Sequence, residues 1–134
     1  MSNPQPVASV TRLLDQARVD AYAVAARDGN PLHLDPAFAR ERGFDGAIAH
    51  GMLVLALVSE AMSAAIGRGW AAGGLLKVRW RAPALIPVTV TARVELRSSS
   101  DGRAEYEVIC EDAQGEVLLS GTASAPLPAA RTGS

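Results

Sequence analysis

Asp28 and His33 stand five positions apart, with Gly29-Asn30-Pro31-Leu32 between them. A carboxylate and an imidazole exchange protons readily near neutral pH. Along an unbroken helix that spacing would turn the two side chains to different sides. Pro31, however, pushes Asn30 out of the helical region, and Gly29 permits a sharp reversal. The expected result is a tight turn that carries Asp28 and His33 towards one point, about one water apart. An acid/base pair in that arrangement can add water to a double bond or remove it.

The flanking sequence supplies elements to hold this turn. Val7 to Leu13 reads as a short strand, and Asp15 offers an N-cap for the helix after it. Val19, Tyr22, Ala23 and Ala26 recur at helical spacing and form one core-facing stripe. That helix stops at Asp28-Gly29, so the turn hangs from a packed helix end. Asp35-Pro36 opens a second, short helix with a cap followed by proline, and Gly43 ends it. Phe44 to Ala49 form a loop leading into Met52 to Val58, a run that is apolar on every side and therefore expected to be buried all round. Gly67 and Gly69 close that helix. Leu75 to Arg81 alternates with period two, and Val88 to Leu96, Ala104 to Cys110 and Val117 to Ala123 read as three further strands. Ser98 to Gly102 and Ala113 to Gly115 have the composition of hairpin connections. Pro126 to Ser134 reads as a loose tail. Helices first and an antiparallel meander after them give an α+β class, with a curved sheet around the apolar helix.

At 134 residues the chain is one domain, residues 1–134, with 49% hydrophobic and 20% charged residues. A net charge of -1 and only 4% aromatic residues argue against nucleic acid or an anionic membrane as partner. The single cysteine, Cys110, excludes an internal disulfide and fits a reducing, cytoplasmic setting. Residues 1–11 lack a signal-peptide pattern, and the longest charge-free apolar run, Ala47 to Ser59, is too short to span a bilayer.

Tyr22-Ala23, Asp28 to Asp35, Gly43-Phe44 and Ile48-Ala49-His50-Gly51-Met52-Leu53 follow one another in a distinctive order. With Lys77 to Pro83 as a following strand and Val88 to Ala92 as the next, they resemble the R-specific enoyl-CoA hydratases and related MaoC-like dehydratases. The resemblance runs from about Val7 to Leu127. It implies a hot-dog fold, an antiparallel sheet wrapped around a long central helix, assembled as a homodimer. It also implies hydration of trans-2-enoyl thioesters to R-3-hydroxyacyl thioesters, or the reverse, without metal or redox cofactor. The family's catalytic Asp and His match Asp28 and His33, its His-Gly element matches His50-Gly51, and a later serine matches Ser59.

Attack of water at C3 of an enoyl thioester drives electrons onto the carbonyl oxygen, which then needs preorganised donors. A helix N-terminus supplies free N–H groups and a partial positive end, and glycine lets a substrate approach the backbone. The Gly51 amide is therefore the oxyanion candidate. Asn30, His50, Met52 and Ser59 are the candidate substrate contacts. For His50 a structural role near the helix start stands beside a pocket-lining one, and Ser59 has the alternative of bonding within its helix. Asp28 and His33 titrate as a unit, so which is base and which acid stays open.

Relatives commonly carry Ser-Gly just before the aspartate, where this chain has Ala26-Arg27. Arg27 would favour the charged carboxylate of Asp28, unless its guanidinium turns to solvent. The usual Pro-Gly-Asp turn before the third strand is replaced by Ile86-Pro87-Val88. Glu60, on the apolar helix, raises a thioesterase alternative, against emergence at a sheet edge or dimer seam. Lys77, Arg79 and Arg81 share one strand face, either solvated or steering the phosphates of coenzyme A or an acyl-carrier protein. Dehydration of carrier-bound 3-hydroxyacyl chains is the chief functional alternative, followed by a non-catalytic partner subunit. His33, Asp35 and His50 also have the residue types of an iron-binding facial triad, although their spacing suits a cupin barrel badly.

Overall fold

The computed structural model describes residues 6–127. Strand β1 (Pro6–Leu14) is followed by helices α1 (Gln16–Ala26), α2 (Pro31–Leu34), α3 (Pro36–Glu41), α4 (Gly51–Ile66) and α5 (Arg68–Gly73). Strands β2 (Leu75–Trp80), β3 (Val88–Ser100), β4 (Arg103–Glu111) and β5 (Val117–Pro126) complete the chain. The strands form one antiparallel sheet in the order β1-β3-β4-β5-β2, which leaves β1 and β2 as its edges. Helix α4 packs against β1, β3, β4 and β5, so the sheet curves around it. This is the α+β hot-dog architecture.

Alternation builds the wall that faces the helix. Val90, Ala92 and Val94 on β3 point inward, as do Ala104, Tyr106, Val108 and Cys110 on β4. Leu53, Val54, Leu57, Val58, Ala61 and Met62 meet them from α4. Each large side chain buried this way contributes about 1.5–3 kcal/mol relative to exposure. The alanines among the strand residues let the sheet approach the helix closely. Gly121 serves a similar end within the sheet: a Cβ there would lie 2.0 Å from the Lys77 carbonyl oxygen, so only glycine lets β2 seat on β5.

The apolar helix departs from the expected all-round burial. Met52, Ala56, Glu60 and Ser63 form an exposed stripe along α4, because a five-stranded sheet encloses only part of its circumference. Glu60 emerges on this stripe and is ion-paired by Arg12 of edge strand β1. Two short helices, α2 and α5, were not expected, since each is too brief to show a period. Pro126 belongs to β5 rather than to a tail, and the Leu127 amide donates to the Gly102 carbonyl at 2.7 Å. The rest of the expected tail, residues 128–134, lies outside the described residues.

Candidate active site

Helix α1 begins at the Asp15 cap, whose carboxylate accepts the Arg18 amide at 2.9 Å, and buries Val19 and Ala23. It ends on Arg27, which takes the left-handed conformation (φ 55°, ψ 41°) and returns its N–H to the Ala23 and Val24 carbonyls. The chain therefore reverses at Arg27 and not at Gly29, which has no positive φ. Arg27 forms no ion pair with Asp28 among the described residues. Next, Asp28 Oδ1 accepts the Asn30 amide at 3.3 Å, and Asn30 Oδ1 accepts the Leu32 amide at 3.0 Å. Two local side-chain caps thus steer the backbone into the single turn of α2, with Pro31 at its start.

His33 sits on α2 and is fixed from three directions. Its Nδ1–H donates to the Ile48 carbonyl at 2.7 Å, its own carbonyl accepts the Gln16 side-chain amide at 3.0 Å, and its ring stacks on His50 with centroids 3.8 Å apart. Because a carbonyl can only accept, the Nδ1 bond assigns the tautomer and leaves the Nε2 lone pair free. His50 is 2% exposed, donates Nε2–H to the Asp28 backbone carbonyl at 3.0 Å, and lies against Tyr22 with centroids 4.8 Å apart. One ligating atom each from Asp28, His33 and His50 fall within 4.8 Å of one another. A single water making two ordinary hydrogen bonds spans about 5 Å, so it fits between the carboxylate and the imidazole.

Gly51 is the first residue of α4, with His50 at the cap position. The Leu53 and Val54 amides reach back to the His50 carbonyl, while the amides of Gly51 and Met52 find no acceptor among the described residues. A cavity of about 340 Å³ is lined by His33, Ile48, Ala49, Gly51 and the Trp80–Ala84 segment. It brings His33 and the tip of α4 to one space; Asp28 is near His33 but does not line it. A larger cavity of about 630 Å³ beside β2 carries Lys77, Arg79 and Arg81 but no acid/base pair.

The four expected contact residues are placed as follows. Asn30 spends its side-chain oxygen as the α2 cap and borders a separate hollow with Leu32, Phe38 and Arg42. His50 is buried, with Nε2 on the Asp28 carbonyl and its ring against those of His33 and Tyr22. Ser59 accepts the Trp70 indole N–H at 2.9 Å, which ties α4 to α5 two turns beyond the helix tip. Met52 is 55% exposed and does not line the catalytic cavity. Asp35 caps α3 by accepting the Ala37 and Phe38 amides, which diverts it from a facial triad. Gln16 contributes to the site without having been singled out in the sequence, and Tyr22 and Ile48, although part of the recognisable motifs, were assigned no role there. Their roles depend on contacts between distant segments, and Ile48 acts through a backbone carbonyl that any residue carries.

Comparison with known proteins agrees with this geometry. A family profile described as a MaoC like domain matches residues 2–116. An (R)-specific enoyl-CoA hydratase of Aeromonas caviae is 37% identical over 90 residues, which are 66% of this chain and 66% of that protein. A mitochondrial 3-hydroxyacyl-[acyl-carrier-protein] dehydratase of Arabidopsis thaliana is 43% identical over 54 residues, 40% of this chain and 32% of that protein. The solved structure of an (R)-hydratase from A. caviae superposes with a TM-score of 0.79 at 28% identity, covering 96% of this chain and 98% of the other. The aspartate–histidine turn, the helix tip beside it and the sheet that carries both therefore belong to a recognised whole: the chain is a member of the MaoC-like dehydratase family.

Proposed function

We propose that this protein hydrates trans-2-enoyl-CoA thioesters to (R)-3-hydroxyacyl thioesters, or dehydrates them in reverse, as a hydro-lyase. The observation that carries the reading is the convergence of Asp28 and His33, donor atoms within 4.8 Å, with His33 and Gly51 lining one cavity. In the forward direction the water oxygen bonds to C3. One water proton passes to the Asp28–His33 pair, and the C2=C3 electrons move through C2 towards the thioester oxygen. The Gly51 N–H receives that developing charge. Collapse of the enolate then takes a proton from the pair at C2, so the two groups end as they began. Each preorganised donor to such an oxygen is worth about 3–4 kcal/mol.

The named relatives support this class of reaction, and the Arabidopsis relative favours a second reading in which an acyl-carrier protein presents the substrate. The exposed cations Lys77, Arg79 and Arg81 suit either phosphate-bearing carrier. A homodimer is part of the proposal. Exposed Leu75, Trp80 and Leu85 on and after edge strand β2, with Met52 nearby in sequence to the helix tip, are the apolar groups a second copy would cover. A buried, unpaired Cys110 supports a reducing, cytoplasmic setting. No helix among the described residues is long and apolar enough to cross a membrane.

The decisive measurement is hydration of crotonyl-CoA. Asp28→Asn and His33→Ala should each lower kcat by roughly 10²–10⁴-fold with the fold intact. Near wild-type turnover by either variant would defeat the assignment. Comparing crotonyl-CoA with a carrier-bound 3-hydroxyacyl substrate separates the two readings.

A further inference from the structure

Trp80 ends β2 with its indole 49% exposed, an unusual place to leave so large an apolar surface. Its Nε1–H donates to the Gly51 carbonyl at 3.0 Å, across 29 residues of sequence. In a helix that carbonyl faces the amide of residue 55, so the indole occupies its second lone pair. The ring also lies against the Gly51 α-carbon. A Cβ built there would stand 2.8 Å from Nε1, 3.2 Å from Cε2 and 3.3 Å from Cδ1. Glycine at 51 is thus demanded by the indole itself, independently of any substrate.

We infer that Trp80 is a positioning residue that holds the Gly51 carbonyl and α-carbon against the rigid sheet, and through them restrains the adjoining Gly51 amide proposed to receive the substrate oxygen. Trp80 pairs with Leu119 in the β2–β5 ladder, and β5 is in turn bonded along its length to β4. The indole is therefore a strut from a fixed wall to the first turn of α4. That turn has no side-chain cap of its own: His50, at the cap position, places Nε2 on the Asp28 carbonyl, and its Nδ1 finds no partner among the described residues. Trp80, Gly51 and His33 line the same cavity, so the strut fixes the distance between the acid/base pair and the oxyanion donor. Small displacements there matter, because catalysis depends on donors already aimed at the charge that develops.

This inference rests on the hydratase reading, and the test separates the two. Trp80→Phe keeps an aromatic ring on β2 and removes the pyrrole part with its N–H. On crotonyl-CoA it should lower kcat roughly tenfold or more, with KM within about twofold, the pattern of an interaction felt chiefly in the transition state. Its melting temperature should stay near that of the wild type. Alongside it, Gly51→Ala should lower the melting temperature in the wild-type background and leave it unchanged or raised in a Trp80→Ala background, where the clash is gone. An active wild type with unchanged kcat in Trp80→Phe, or with KM raised at constant kcat, would overturn the positioning role. A wild type inactive on every enoyl thioester would defeat the hydratase reading instead. The melting cycle then decides the strut alone, and additive effects of the two substitutions would overturn it.

Discussion

Arg27 carries a backbone conformation, φ 55° and ψ 41°, that costs a side-chain-bearing residue about 1–2 kcal/mol. The αL cap is what bends the chain from α1 towards Asp28, so the conformation is kept and the residue tolerates it. Arg27→Gly should accordingly raise stability by about 1 kcal/mol and the melting temperature by a few degrees, with kcat unchanged. Thermal melting beside a crotonyl-CoA assay checks both halves. Cys110 poses a different single-residue question. Burial pushes its thiol up from 9.0 to about 12. The folded state thus holds this proton more tightly than the unfolded chain does, so the stabilisation is complete below pH 9 and lost as pH rises towards 12. The stability advantage of the wild type over Cys110→Ala should therefore narrow across that window, as denaturant titrations at stepped pH would reveal. At neutral pH the same thiol should resist alkylation until the protein unfolds.

At the scale of elements, the site depends on α2, a single turn that isolated in water would not persist. It is held by the Asn30 cap, by Gln16 bonding the His33 carbonyl, and by the Ile48 amide donating to the Leu32 carbonyl at 3.1 Å. Asn30→Ala should cost about 1 kcal/mol of stability. It should also lower kcat, because His33 rides on the turn that the cap sets, and kinetics at a temperature well below unfolding isolates that second effect. The sequence pattern made much of this region readable. Asp15 and Asp35 announced their helices through cap chemistry, and the alternation of β2 to β5 announced the sheet. Asp28 and His33 were legible as a pair because Pro31 and Asn30 forbid a continuous helix. What stayed hidden was whatever depends on residues far apart in the chain: Trp80 on Gly51, Trp70 on Ser59, and the ring of His50 under Asp28. Even the reversal was assigned one position type too simply. Gly29 had the freedom, but the helix end required the left-handed residue at 27, where the α1 carbonyls could still be reached.

For the whole molecule, the curved sheet and α4 share one core, and the catalytic elements are mounted on its rim. Met62 is fully buried on the central helix, about 17 Å along the axis from Gly51 at 1.5 Å per residue. Met62→Ala should destabilise the fold by about 2–5 kcal/mol while the protein that remains folded keeps its kcat. Equilibrium denaturation and active-site-normalised rates distinguish that outcome from a direct effect on chemistry. A sedimentation experiment addresses assembly, where a stable monomer at working concentration would contradict the second copy proposed to cover the β2 edge.

The segment just before α4 is stitched on both flanks. Ile48 bonds α2 through its N–H and its carbonyl, while Ala49 and Ala47 bond the chain at Ala84 and Ile86 in a strand-like bridge. Proton-transfer group and helix tip therefore hang from one common rail. The His33 ring and the start of α4 are thus coupled through one short stretch of backbone, Ala47 to Ala49. Their separation is set twice over, once by this rail and once by the Trp80 bond from β2.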